Sequence, residues 1–415
     1  MTTPTPQQLE KYADVLLRVG LNLQAGQRLF IISPIDPQAV PLVRQVTARA
    51  YQIGARLVSV LWTDEELVRI RLEHAPRDSF EEYPNWQAAA PLEFVRNGDA
   101  MLSIFANNPE LLAGQDPALI ATLQKTSAER NRELSQLISA SAVNWLVGSV
   151  AIESWASKVF PGAPADVSIN GLWNAILAMC RVNEADPVAA WEAHLADLRA
   201  RREYMTAKRY SALHFSGPGT DLTVGLPEGH LWQGGSSVSQ NGITFTPNLP
   251  TEEIFTLPHA QRVNGTLAAS KPLIVSGNRI EGIRMTFTDG VVTDFSAEAG
   301  AETLQRLLEM DEGARRLGEV ALVPHHSPVA QSGLLFYNTL FDENAASHLA
   351  LGRAYNGCLE GGTAMDEEAF AAAGGNNSLI HVDFMIGSDQ MDVDGITASG
   401  EREPVMRQGA WAFEV

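Results

Sequence analysis

Four short apolar runs in the first half of the chain are separated by segments of helical spacing: RLFIISP (Arg28 to Pro34), ARLVSVLW (Ala55 to Trp62), AMLSIFA (Ala100 to Ala106) and NWLVGSVA (Asn144 to Ala151). Strands that alternate with helices pair through crossovers, so this pattern predicts an open α/β domain around a parallel sheet. Leu9, Tyr12, Val15 and Leu16 recur at helical intervals ahead of Gly20. Asp36-Pro37 supplies a cap and a first-turn proline for a helix running to Gly54. Further helical patterns cover Gly171 to Val182 and Pro187 to Ala207.

After about residue 208 the texture changes. RYSALHFSG and TDLTVGLP read as paired strands around a Pro-Gly turn. GIRMTFTDGVVTDF holds Asp289-Gly290 between alternating runs, which is a hairpin signal. Helix is expected again over Glu302 to Arg316 and near Asn344 to Ala354. The predicted architecture is an N-terminal open α/β domain, residues 1–207, followed by a C-terminal mixed, largely antiparallel α+β domain, residues 208–415. A chain of 415 residues is also long enough to need two cores.

Composition narrows the function. A formal charge of −19, from 49 acidic and 30 basic residues, argues against nucleic acid or an anionic membrane surface as a partner. No run of 18 apolar residues offers a membrane span. The opening MTTPTPQQLEKYADVLLRVG lacks the basic-then-apolar pattern of a signal peptide. Two cysteines, Cys180 and Cys358, are too few for a disulfide framework, so a reducing, cytoplasmic setting is expected. The α/β half carries no phosphate-binding glycine fingerprint, and HExxH and paired CxxC motifs are absent.

The candidate chemistry lies in the second half. Read as a strand, NSLIHVDFMIGSD turns Ile380, Val382, Phe384 and Ile386 to one face and Leu379, His381, Asp383 and Met385 to the other. By itself the pair reads as a core histidine oriented by a carboxylate, or as polar residues on a solvated face. It also offers an imidazole nitrogen and a carboxylate oxygen side by side, which suits a metal ion. If the latter part of FDENAASHLALGRAYNG is helical, His348 and Tyr355 share a face; alone, His348 is an ordinary helix residue and Glu343 a capping acid. Glu319 opens the apolar strand of RRLGEVALVP, while Glu252 and Glu253 in NLPTEEIFTLP read alone as turn carboxylates. Taken together, Glu253, Glu319, His348, His381 and Asp383 suit two borderline divalent ions bridged by a carboxylate.

Four blocks in order, PNLPTEEIFTLPH, RLGEVALVP, LFYNTLFDENAASHLALGRAY and NNSLIHVDFMIGS, resemble the aminopeptidase T/aminopeptidase S family of metallopeptidases, PepS enzymes included. The block LPEGHLWQGG precedes them, and the resemblance covers essentially the whole chain. It implies a metal-dependent aminopeptidase acting on peptides with a free N-terminus, and a homodimer. It implies two divalent metal ions (zinc, cobalt, manganese or magnesium) held by Glu253, Glu319, His348, His381 and Asp383. Glu343 is implied as an additional ligand or a supporting carboxylate, and Tyr355 as the catalytic tyrosine. Glu252, beside Glu253, is the candidate proton shuttle to the leaving amine. His230, Trp232 and Phe255 either shape the side-chain pocket or simply pack. A non-catalytic metal- or peptide-binding protein on the same scaffold is the rival reading; the full ligand set with Tyr355 counts against it.

Overall fold

The four apolar runs of the N-terminal half pair as a parallel sheet, β1 (Arg28–Pro34), β2 (Leu57–Thr63), β3 (Ala100–Phe105) and β4 (Trp145–Ser149), in the order β2-β1-β3-β4. In β1 the neighbours Leu29, Phe30 and Ile31 are all buried, as expected for a strand covered on both faces. The helix after it, Ala39–Ile53, ends at Gly54, whose φ of 109° lies in the left-handed region. At the chain start, Thr5 and Gln8 form a reciprocal capping box for the helix Pro6–Asp14.

The computed structural model describes residues 4–106, 108–275 and 278–415. Contacts divide the chain into two units: residues 1–195 with 236–250, and residues 196–235 with 251–415.

The two larger sheets of the second unit are antiparallel. One has eight strands and includes the pair Ala212–Gly217 and Thr220–Gly225 and the hairpin Arg284–Thr288 with Val291–Ser296. The hairpin turn uses Asp289 at φ 48° and Gly290 at φ 82°, the left-handed pair that matches the strand twist. A Cβ on Gly290 would stand 1.9 Å from the carbonyl oxygen of Ala260, so no other residue fits there. The other sheet has four strands, β5 (Ile254–Thr256), β6 (Leu317–Leu322), β7 (His348–Gly352) and β8 (His381–Met385), in the order β8-β7-β6-β5.

β7 corrects one expectation. The stretch near Asn344 to Ala354 is not a helix: a 3₁₀ turn over Glu343–Ala345 leads into a strand that begins at His348. All five residues of β7 are buried. A run apolar on both faces shows no period of two, and only pairing with β6 and β8 decides its conformation. The helix expected over Glu302 to Arg316 is likewise shorter, ending at Leu308, with a 3₁₀ turn at Gly313–Arg315 before β6.

Candidate metal centre

Strand register gathers the polar residues of the second sheet on one face. Glu319 pairs with Ala350, and Ala350 pairs with Asp383, so the three form a row across β6, β7 and β8. Directly opposed residues share a face, as do residues two apart. His348 and His381 therefore leave the same face as Glu319 and Asp383, with Gly352 opposite His381. Ala350 and Gly352 keep the middle of that face low, which leaves room above it. On β5, Phe255 opposes Ala321, and Glu253 lies two residues before it, just ahead of the strand.

The side chains converge closely. His348 Nε2 lies 3.2 Å from Glu253 Oε2 and 3.6 Å from Glu319 Oε1. His381 Nε2 lies 3.5 Å from Glu319 Oε2 and 3.3 Å from Asp383 Oδ1. Glu319 thus turns one oxygen to each imidazole. Each ring has its Nδ1 beside a backbone carbonyl, Ala346 at 3.1 Å for His348 and Arg353 at 2.7 Å for His381. In the neutral ring a proton donated there leaves Nε2 facing the carboxylates with its lone pair, the tautomer a metal ion would require. Two groups, Glu253 with Glu319 and His348, and Glu319 with His381 and Asp383, each hold their donor atoms within 4.8 Å of one another and could bind a metal ion.

The residues fit such an ion. Glu253 Oε2 and His348 Nε2 are buried and lack hydrogen-bond geometry to any partner, although they face each other at 3.2 Å. Ligands about 2 Å from one tetrahedral ion stand roughly 3.3 Å apart, which is the spacing seen here. The donor set is nitrogen and oxygen without thiolate, suited to borderline and hard divalent cations.

Electrostatics agree. Burial and repulsion by Glu253 and Asp383 hold the Glu343 carboxyl well above the usual carboxylate range. Burial raises Glu253 as well, against the pull of His348. For the imidazoles burial opposes the charge, but the carboxylates outweigh it: Glu253 and Glu319 raise His348 well above its ordinary value, and Asp383 and Glu319 push His381 up to about 11. Burial also works against ionised Asp383, yet the hydrogen bond from His381 keeps its pKa below the ordinary value. The Glu253, Glu319, Glu343 and Asp383 carboxyls outnumber the two imidazoles, and the raised pKa values of Glu253 and Glu343 reflect that crowding of carboxyls in a buried place.

The remaining candidates sit around this face. Tyr355 is half exposed; its ring centroid lies 4.7 Å from that of His381 and 5.9 Å from that of Phe255. Burial of its surroundings and the charges of Glu319 and Asp383 raise its phenol. Glu343 lies in the 3₁₀ turn ahead of β7 and feels the charges of the cluster. Its neighbour Asp342 is structural: the carboxylate accepts the amides of Phe336 and Asn338 at 2.7 and 3.0 Å, and burial lifts its pKa to about 6. Glu252 is buried, and its amide donates to Asn344 Oδ1 at 2.7 Å. Neither Glu252 nor Glu343 is in the two donor groups found among the described residues. His230 and Trp232 are buried on the segment ahead of Gln233. Asn344, Ala350 and Gly352 are visible only in the structure, because their roles depend on what lies across the chain rather than along it.

Comparison with known proteins gives a consistent result. A family model described as thermophilic metalloprotease (M29) matches residues 5–411. Aminopeptidase 2 of Geobacillus stearothermophilus is 49% identical over 409 residues, 99% of this chain and 98% of that protein. Aminopeptidase T of Thermus thermophilus is 47% identical over 403 residues, 97% of this chain and 98% of its own. The solved structure of wild-type AmpT from Thermus thermophilus matches with a TM-score of 0.92 and 46% identity, covering 98% of this chain and 99% of that one.

The charge balance sets a pH dependence. A raised imidazole pKa stabilises the fold fully below the unfolded value of about 6.5, and that gain is lost as pH rises toward the folded value. Raised carboxyls such as Glu253 and Glu343 act in the same direction above about pH 4.3, while the stability contributed by the depressed Asp383 is fully present at neutral pH and is lost only on acidification. Chelator-treated protein should therefore lose thermal stability between about pH 6 and 9, relative to protein supplied with divalent metal. Calorimetry at several pH values checks this; a gap that stays constant across the range would count against a cation-dependent cluster.

Proposed function

The chain belongs to the thermophilic metalloprotease (M29) family of metal-dependent hydrolases, and on that footing we propose that it is an aminopeptidase with a dinuclear metal site. Glu253, Glu319 and His348 would hold one divalent ion, and Glu319, His381 and Asp383 the other, so that Glu319 would serve both. The observation that carries this reading is the splitting of Glu319, whose two oxygens face different imidazoles at 3.6 and 3.5 Å. Glu343 stands beside the cluster as a further ligand or supporting carboxylate. Zinc, cobalt, manganese and magnesium all suit the donor set.

Divalent ions bound there would lower the pKa of water and polarise the scissile carbonyl. A free α-amine of a peptide could coordinate an ion bound there, which would tie cleavage to a free N-terminus. The chain's own groups do the rest. Tyr355 keeps its proton at neutral pH and presents an O–H donor beside His381 to the oxyanion that develops on the substrate. Glu252, buried and fixed through its amide, is the proposed carrier of a proton to the leaving amine. We assign this machinery to the C-terminal domain, residues 208–415, with the α/β domain over residues 1–207. A cytoplasmic setting fits the two buried free cysteines, and a homodimer follows from the family resemblance.

Release of amino acids from unblocked and N-acetylated peptides tests the reading. Cleavage of unblocked peptides only, lost with chelator and restored by metal, is the expected result. Equal cleavage of blocked peptides would remove the exopeptidase assignment, and metal binding with no turnover would leave the rival binding protein.

Two residue-level comparisons separate the roles. His381→Ala should lose metal and activity together, whereas Tyr355→Phe should keep its metal and lose about 10²- to 10³-fold in kcat. An undiminished kcat in Tyr355→Phe would end the oxyanion role. Similarly, Glu252→Gln should retain metal and lose about 10²-fold or more in kcat, while Glu343→Gln should weaken metal binding itself. Full activity in Glu252→Gln would pass the shuttle role to another group.

A further inference from the structure

The block LPEGHLWQGG supplies none of the proposed ligands, yet it runs beside the site. Gln233 and Phe255 exchange both backbone hydrogen bonds, at 2.8 and 3.0 Å, so this segment extends the sheet beyond β5. Opposed residues share a face. Gln233 therefore leaves the face that carries Phe255, Glu319 and the two imidazoles. Gly234 follows at φ 128°; a Cβ there would lie 2.4 Å from the Glu253 carbonyl oxygen, so the segment presses on the backbone that bears a proposed ligand. Trp232, almost wholly buried, anchors it, and its amide donates to Thr206 Oγ1 at 3.0 Å.

The same segment holds the turn that carries Tyr355. Tyr355 stands at the start of the 3₁₀ turn Asn356–Cys358, outside the four-stranded sheet. Gln233 Nε2 donates to the Gly357 carbonyl at 3.0 Å. The Leu231 amide donates to the Cys358 carbonyl at 2.7 Å, and the Glu360 amide to the Gly229 carbonyl at 2.9 Å. Beneath the turn, Ala354, Cys358 and Leu359 pack with Leu257 and Phe370. Among these ties Gln233 supplies the side-chain bond, and it reaches the turn from the site face.

We infer that Gln233 is a positioning residue: its side-chain amide, bonded to the Gly357 carbonyl beside Phe255, fixes the turn that sets the Tyr355 hydroxyl over the site. This rests on the aminopeptidase reading and on the role given there to Tyr355. Gln233 binds no metal and moves no proton; it acts through Tyr355. A displacement of about 1 Å in such a group costs up to about 10²-fold in rate.

The test uses the full-length, cobalt-loaded protein and an unblocked peptide. Gln233→Met keeps the length and removes the donor, and should lower kcat about tenfold or more while KM and cobalt affinity stay near those of the wild type. Gln233→Asn, which draws the amide back by one carbon, should behave alike, and covers the case in which the methionine variant folds poorly. Gln233→Lys, which retains a donor, should recover most of the rate. In a Tyr355→Phe background Gln233→Met should add no further loss, because its effect passes through the missing hydroxyl. An unchanged kcat in both donor-deficient variants would overturn the inference, as would a loss that multiplies with that of Tyr355→Phe or is matched by lost cobalt affinity. A wild-type protein that binds cobalt and cleaves nothing would sink the peptidase reading and this inference together. An active wild type with multiplicative losses would sink this inference alone.

Discussion

Placing Glu319 between two imidazoles is the constraint around which the second sheet is arranged. A carboxylate that is 4% exposed costs several kcal/mol of desolvation unless charge or hydrogen bonds compensate for it. His348 and His381 provide that compensation from the neighbouring strands, but each also faces a second carboxylate, Glu253 or Asp383. The result is a buried cluster with more anionic than cationic groups and with unmet polar atoms at Glu253 Oε2 and His348 Nε2. A cluster of this kind is weak evidence for stability and stronger evidence for a ligand. Bound cations would resolve the imbalance, and the family to which the chain belongs is one of metalloproteases.

The sheet is what makes that cluster reproducible. Three strands contribute Glu319, His348, His381 and Asp383 through register alone, and a slip by one residue on any strand would send its polar side chains to the opposite face. The buried apolar residues that alternate with them, Val320, Leu349 and Phe384, therefore fix the geometry of the proposed ligands as well as the core. The pairing shifts between Leu317 and Glu319, so Glu319 meets Ala350 while Leu317 meets Leu351. Such an irregularity re-aims the side chains that follow it and breaks the simple two-residue count along β6.

How much of this could be read from the sequence follows from the same physics. The parallel strands of the first half were legible because each apolar run is flanked by helical spacing and turn residues; Arg28–Pro34 occupies the predicted span. The Asp289-Gly290 hairpin was legible because its turn chemistry is local. His381 and Asp383 stood out because two polar residues interrupt one face of an apolar strand. His348 was harder: HLALG is apolar around it and buried throughout, so strand and helix look alike along the chain. The partnership of Ala350 with Glu319 and Asp383, and that of Gln233 with Gly357, are contacts between distant segments that leave no periodic trace.

The supports of the proposed groups also differ in kind, and this bears on how function divides. The metal-capable side chains stand mainly on paired strands, β6 and β7 bonded to a neighbour on each side and β8 to β7 alone, and this pairing limits their movement. Tyr355 stands on a short turn, half exposed, tied down by the segment that carries Gln233. Strand-borne groups fail only when the sheet itself fails, whereas a turn can shift by an ångström while the fold remains intact. On the proposed assignment, metal binding and turnover therefore depend on separable parts of one small region. The first is held by strand register and buried charge. The second is held by a few hydrogen bonds between LPEGHLWQGG and the Tyr355 turn.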